Sequence, residues 1–134
     1  MTGSVAPTVN DLNRPFWEAA ARDRLALPHC IDTARAFWPP SPISPFTSGR
    51  VEWREVEVSG TVLSLTVYRR IFQKAFAEIM PFGIALVALD AGPRFQAHVP
   101  DPDGAAAPAV GARVVIGFRS ILTDGFALPI ATAI

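Results

Sequence analysis

The chain has 134 residues, half of them hydrophobic and 18% charged, with 12 basic against 12 acidic side chains and a formal net charge of zero. That length supports one domain with enough apolar material for a core without disulfides. Zero net charge and pI ≈ 6.7 speak against the basic footprint by which nucleic-acid binders neutralise phosphate. The single cysteine, Cys30, excludes an internal disulfide framework and fits a reducing compartment. The first residues lack the basic and apolar regions of a secretory signal. The longest apolar run, 79–89, is broken by Pro81 and Gly83 and falls short of the roughly 20 residues that a membrane span needs. A cytoplasmic protein is expected, with neither membrane nor nucleic acid as partner. A mean hydropathy of +0.29 leaves two readings open: a well-filled core, or apolar surface covered by a partner.

Residues 1–13 read as a flexible N-terminus. Asn13 suits a helix N-cap and Pro15 the first turn, which predicts a helix over Arg14–Arg24. Phe16, Ala19, Ala20 and Asp23 share one side at helical spacing, with Trp17, Ala21 and Arg24 adjacent. Two large aromatics on so short a helix need a surface to bury them, either their own domain or another subunit. Leu25–His29 reads as a short extended segment leading to Cys30. Ala36–Pro45 carries prolines at 39, 40, 42 and 45, a density that neither helix nor central strand tolerates. It reads as a stiff loop anchored by Phe37 and Trp38, followed by a turn around Gly49.

Val51–Val58 has strand character, but its apolar parity switches between Val51/Trp53 and Val56/Val58, which predicts a bulge near Arg54–Glu55. Gly60–Arg70 is the clearest strand. Thr61, Leu63, Leu65 and Val67 alternate with Val62, Ser64, Thr66 and Tyr68. Ile71–Phe82 is the least regular stretch, a loop with one or two helical turns that could cover a barrel end or serve function. Ile84–Leu89, Pro93–Val99, Arg113–Arg119 and Phe126–Ala131 complete the strands. Phe95, Ala97 and Val99 face one way, Val114, Ile116 and Phe118 face inward, and Pro129 implies an edge or bulge. The sum is mainly β: an N-terminal helix, then five or six strands in a Greek-key barrel of the OB type.

The order of pieces is similar to the OB-fold family catalogued as domain of unknown function 35. The matching pieces are PFWEAA (15–20), LALPHC (25–30), WPP (38–40), the run 51–70 and PFGIALVALDAGPRFQAHV (81–99). The resemblance implies a helix and a rubredoxin-like zinc ribbon over 14–50 and an OB barrel over 51–134. It also implies association with thiolase-like and other acyl-CoA enzymes. The family's ribbon carries two C-x-x-C knuckles. Here the ligand positions are Cys30, Thr33, Ser44 and Thr47: one thiol and three hydroxyls, against the four N or S donors of a structural zinc site. The ribbon is degenerate and no metal is expected. The four prolines and a cluster of Phe37, Trp38, Phe46 and Trp53 would hold the lobe in its place.

No catalytic set emerges. His29 adjoins Cys30 in sequence, which does not make the two face each other. His98, Asp101 and Asp103 read as a strand-end histidine before a polar turn, and Ser64 and Thr66 as strand-face residues. Arg69, Arg70 and Lys74 border the apolar loop that carries Phe72 and Phe76. Arginines hold phosphates and an apolar channel suits an acyl chain, so these five are the candidate residues for coenzyme A or a partner. The bland alternatives are solvated charges or pairing with Glu55, Glu57 or Glu78. With the family's implication added, the expected function is a non-catalytic accessory subunit that binds acyl-CoA or a thiolase-like, aldolase or hydratase enzyme. The alternative is a stand-alone OB module that binds acyl-CoA or another small ligand as a carrier or sensor. No cofactor is expected, a CoA thioester is the ligand the resemblance suggests, and self-association stays open.

Overall fold

The computed structural model of the protein describes residues 9–69, 81–120 and 127–134. One short helix, α1 (Arg14–Ala20), precedes seven strands: β1 (Ala26–Cys30), β2 (Val51–Glu55), β3 (Ser59–Tyr68), β4 (Phe82–Leu89), β5 (Arg94–Val99), β6 (Arg113–Ser120) and β7 (Ala127–Ala133). The last five close a barrel in the order β3-β4-β5-β7-β6, with β6 returning to β3. All neighbours run antiparallel except β5 and β7, which are parallel and share one bridge, His98↔Ile130. That weak seam is where a strand bearing Pro129, with no N–H to donate, is best tolerated. The expected alternation fills the core. Phe95, Ala97, Val99, Val114 and Ile116 are all buried, against Ala85 and Val87 of β4.

β3 departs from strict alternation. Its register with β4 shifts between Val62 and Ser64, so one extra residue sits there. Val62 is 1% exposed and Leu63 40%. The bulge exchanges the faces of the strand: Gly60 and Val62 point inward before it, and Leu65 and Val67 are half-buried after it. The bulge expected near Arg54–Glu55 does not occur. The parity switch there marks a change of sheet, because β2 pairs with β1 through Cys30↔Val51 to Ala26↔Glu55, while β3 belongs to the barrel. A strand running unbroken from 51 to 58 is therefore corrected to β2 plus a connector at 56–58.

Gly60 is needed for a close approach. A Cβ there would lie 2.5 Å from Val87 Cγ1 and 2.7 Å from the Ala88 carbonyl oxygen. Gly60→Ala is expected to cost about 1–3 kcal/mol by overpacking, read as a lowered urea midpoint. An unchanged midpoint would contradict the tight β3–β4 crossing.

The helix is shorter than the expected 14–24. After Ala20 the amides of Arg22 and Asp23 turn to i−3 carbonyls, and Asp23 takes φ 57. Asp23 is a barrel contact rather than a helical one: its Oδ1 accepts the Phe118 N–H at 2.8 Å. Asn13 does not cap the helix through its side chain. It exchanges hydrogen bonds with Asn10 instead, each side-chain oxygen accepting the other's backbone N–H. The buried face, Phe16, Ala19 and Ala20, lies on the chain's own barrel. The Phe16 ring sits 5.9 Å from Phe95 and 5.8 Å from Phe118. No helix among the described residues is long and apolar enough to cross a membrane.

Candidate functional site

At one end of the β1–β2 sheet the chain makes two tight turns, 30–34 and 44–49. The Ala34 N–H returns to the Cys30 carbonyl, the Ser48 N–H to the Ser44 carbonyl, and the Ser44 N–H to the Gly49 carbonyl. These turns bring Cys30, Thr33, Ser44 and Thr47 together. Cys30 is fully buried, with Sγ 3.5 Å from Thr47 Oγ1. Hydrogen bonds from Ser44, then Thr33 and Thr47, lower the Cys30 pKa from 9.0 to about 6 against the opposing effect of burial. Ser44 Oγ and Thr33 Oγ1 each accept backbone N–H groups, so their own protons are free to reach the sulfur. Thr47 has one proton and two calls on it, because Asp32 Oδ2 stands 2.8 Å away. With that proton on Asp32, Ser44 and Thr33 still hold the shift in the same direction. One thiol and three hydroxyls do not fit a structural zinc ion, which needs four anionic or imidazole donors. Among the described residues no group of three or more His, Cys, Asp or Glu side chains could hold a metal.

The expected aromatic cluster over this lobe divides in two. Phe37 and Phe46 meet edge to face at 6.2 Å. Trp38 leaves them for Phe16 at 4.7 Å and Phe95 at 5.4 Å, and thereby joins the loop to helix and barrel. Trp53 packs against the main core.

Of the five residues proposed for coenzyme A or a partner, Arg70, Phe72, Lys74 and Phe76 lie outside the described residues. Arg69 directly follows β3 and is engaged by a group that the sequence reading did not pair with it. Its Nη1 and Nη2 donate to Asp103 Oδ2 and Oδ1, both at 2.8 Å. The bond fastens β3 to the 100–108 loop. It holds the Asp103 carboxyl below its ordinary 3.8, chiefly by the hydrogen bonds from Arg69. A carboxylate whose folded pKa is depressed stabilises the fold fully above its unfolded value, and loses that effect as pH falls through the folded one. Asp103→Asn is therefore expected to lower the urea midpoint slightly at pH 7, as suits an exposed pair, and to make a smaller difference at a pH below the ordinary carboxylate range. An equal loss at both values would contradict the ionic origin.

His98 does not converge with the two aspartates. Its ring lies 5.9 Å from Phe82, its Nδ1 is buried with no hydrogen-bond partner, and burial lowers its pKa. His29 is 7% exposed and turns its Nδ1 to the Leu27 carbonyl at 2.9 Å, away from any role as base to Cys30.

One feature escaped the sequence reading. Between the β1–β2 lobe and the β4–β5 hairpin lies a cleft of about 640 Å³ lined by His29, Arg35, Phe37, Trp38, Phe46 and Arg94, among others. A hollow of about 460 Å³ continues from it between α1 and the barrel, lined by Phe16, Trp38, Leu86, Arg94 and Pro129, among others. Its residues come from segments some 50 positions apart, which no local pattern connects. The one available signal was the outward parity of Arg94 on β5.

The strand order, the closure of β6 on β3 and the single parallel seam define an OB-fold protein with a helical and two-stranded N-terminal lobe. The chain belongs to the family of the ChsH2 C-terminal OB-fold domain, whose sequence profile matches residues 53–119. Among solved structures it is similar to a chain of the Ltp2-ChsH2(DUF35) aldolase, with 26% identity and a TM-score of 0.79 over 96% of this chain and 98% of that one. The lobe is thus included in the likeness as well as the barrel. No curated protein matches the chain.

Proposed function

We propose that this chain is a non-catalytic partner subunit of an acyl-CoA enzyme of the aldolase class. The observation that carries the reading is the near end-to-end likeness to a chain of the Ltp2-ChsH2(DUF35) aldolase, lobe and barrel together. The side-chain chemistry supports it. Cys30 is buried in a cage of hydroxyls, His29 is turned to the backbone, and Arg69 is occupied by Asp103. None of these presents a nucleophile with its base. Thiolase-like and hydratase enzymes are the wider set of partners with the same acyl-CoA chemistry. The segment that follows Arg69 in sequence is the candidate for CoA or partner contact, with Arg70, Phe72, Lys74 and Phe76 as its residues.

The test is the carbon–carbon cleavage rate of an acyl-CoA aldolase from the same host, assayed alone and with this chain added in equal amount. The expected result is a rate that depends on the added chain and saturates at a fixed ratio. An aldolase whose rate is the same in both cases would overturn the reading.

A further inference from the structure

The cleft and the hollow between lobe and barrel share Trp38 and Arg94, so they adjoin at these two side chains, and together they make up the groove. Their volumes, about 640 and 460 Å³, each lie within the roughly 300–1,000 Å³ typical of small-molecule sites. The halves differ in chemistry. The first carries two guanidinium groups, Arg35 and Arg94, and among the described residues no carboxylate lines either half. Arg35 is held with its Cζ 3.8 Å above the Phe46 ring, which fixes the cation in place and leaves its N–H edges available. Neither arginine is paired with an acid among the described residues, whereas Arg54, Arg69 and Arg113 each have one. His29 adds a polar atom. Its Nδ1 is spent on the Leu27 carbonyl, and the ring lines the cleft. The second half offers Phe16, Trp38, Leu86 and Pro129, a mainly apolar wall whose polar lining among the described residues is Arg94 and Gln96.

We propose that this groove binds an anionic amphiphile. The acid group lies at the Arg35–Arg94 end, and the apolar chain crosses Trp38 into the hollow beneath α1. Charge complementarity selects the anion, since two arginines line one cleft in which no carboxylate stands among the described residues. The apolar half selects an alkyl or acyl chain rather than a second polar group. A fatty carboxylate, an alkyl phosphate and an acyl thioester of a phosphorylated carrier share this chemistry. The proposed binding does not require the aldolase partner.

The experiment is calorimetric titration of the full chain with laurate, dodecyl phosphate, lauroyl-CoA and, as the uncharged control, dodecanol. Emission from Trp17 and Trp38 is followed in parallel. At least one anion is expected to bind with dodecanol weaker by about tenfold or more, and the tightest of the three identifies the source of the acid group. Arg35→Gln with Arg94→Gln changes only exposed side chains, so the melting curve should be unaltered. The double substitution is expected to weaken the anion by about tenfold or more for each arginine lost. Equal binding of dodecanol, an affinity indifferent to the double substitution, or no binding of any anion up to about 1 mM would overturn the proposal. Binding without association to an aldolase would leave it standing and remove the partner reading alone.

Discussion

Phe16→Ala is expected to destabilise the protein by about 3–5 kcal/mol and to lower Tm by on the order of 10–20 °C. Phe16 is 3% exposed and is the point at which three parts of the chain meet. Its ring centroid lies 4.8 Å from Trp17 in its own helix, 4.7 Å from Trp38 in the proline-rich loop, and 5.9 and 5.8 Å from Phe95 and Phe118 in the barrel. Removing it empties the joint and leaves four rings without a common neighbour, a cavity that the barrel strands cannot collapse into. Trp17→Ala provides the contrast, because Trp17 is only half-buried and is expected to cost clearly less. Thermal melts of both variants read the difference. Equal small losses would mean that the helix is not seated on the barrel.

The second large effect concerns the hydroxyl cage. Thr33→Cys, Ser44→Cys and Thr47→Cys together place four thiols where the two turns already converge on Cys30. Four thiolates in that arrangement meet the tetrahedral requirement of zinc. A structural zinc contributes on the order of 10 kcal/mol or more in small modules. The triple variant is expected to take up one zinc per chain and to melt well above its own metal-free form. Cobalt substitution should give the absorption of a four-sulfur tetrahedral site. The natural chain under the same dialysis should take up none. A triple variant with no metal uptake would show that the turns do not converge closely enough. A natural chain that retains zinc would show that the donor set was misjudged. Gly49 is kept in the design, because a Cβ there would lie 2.3 Å from Asp32 Oδ2 and 2.9 Å from Thr47 Oγ1 and would displace the Asp32 side chain.

The barrel was legible because its strands carry their burial in period two. β5 and the buried half of β6 could be assigned face by face from Phe95, Ala97, Val99, Val114 and Ile116. β3 was legible as a strand but not as a bulged one. Leu63 is as apolar as the residues around it, and the register shift comes from pairing with β4 rather than from any local signal. The end of α1 was misplaced because Asp23 falls on the apolar side at helical spacing, while its carboxylate is drawn to a β6 amide that sequence cannot locate. β1 was seen only as an extended segment, since its partner β2 lies beyond a loop of 20 residues that includes four prolines. The knuckle positions were legible only through the family resemblance, since three of the four carry hydroxyls, and the hydrogen bonds that gather them around Cys30 were not legible at all. Arg69 was read as a candidate for coenzyme A or a partner, with solvation or pairing to Glu55, Glu57 or Glu78 as the alternatives, and the fold alone supplied Asp103 as its partner. The groove was invisible for the same reason: its two halves exist only once Trp38 has left the lobe and packed on Phe95.

The measurement that bears most directly on the partner reading is native mass spectrometry of this chain after co-expression with an acyl-CoA aldolase of the same host. The account predicts a complex of fixed stoichiometry, in which this chain contributes its bare polypeptide mass with no zinc. A chain recovered only as free protein beside an intact, separately assembled aldolase would contradict it.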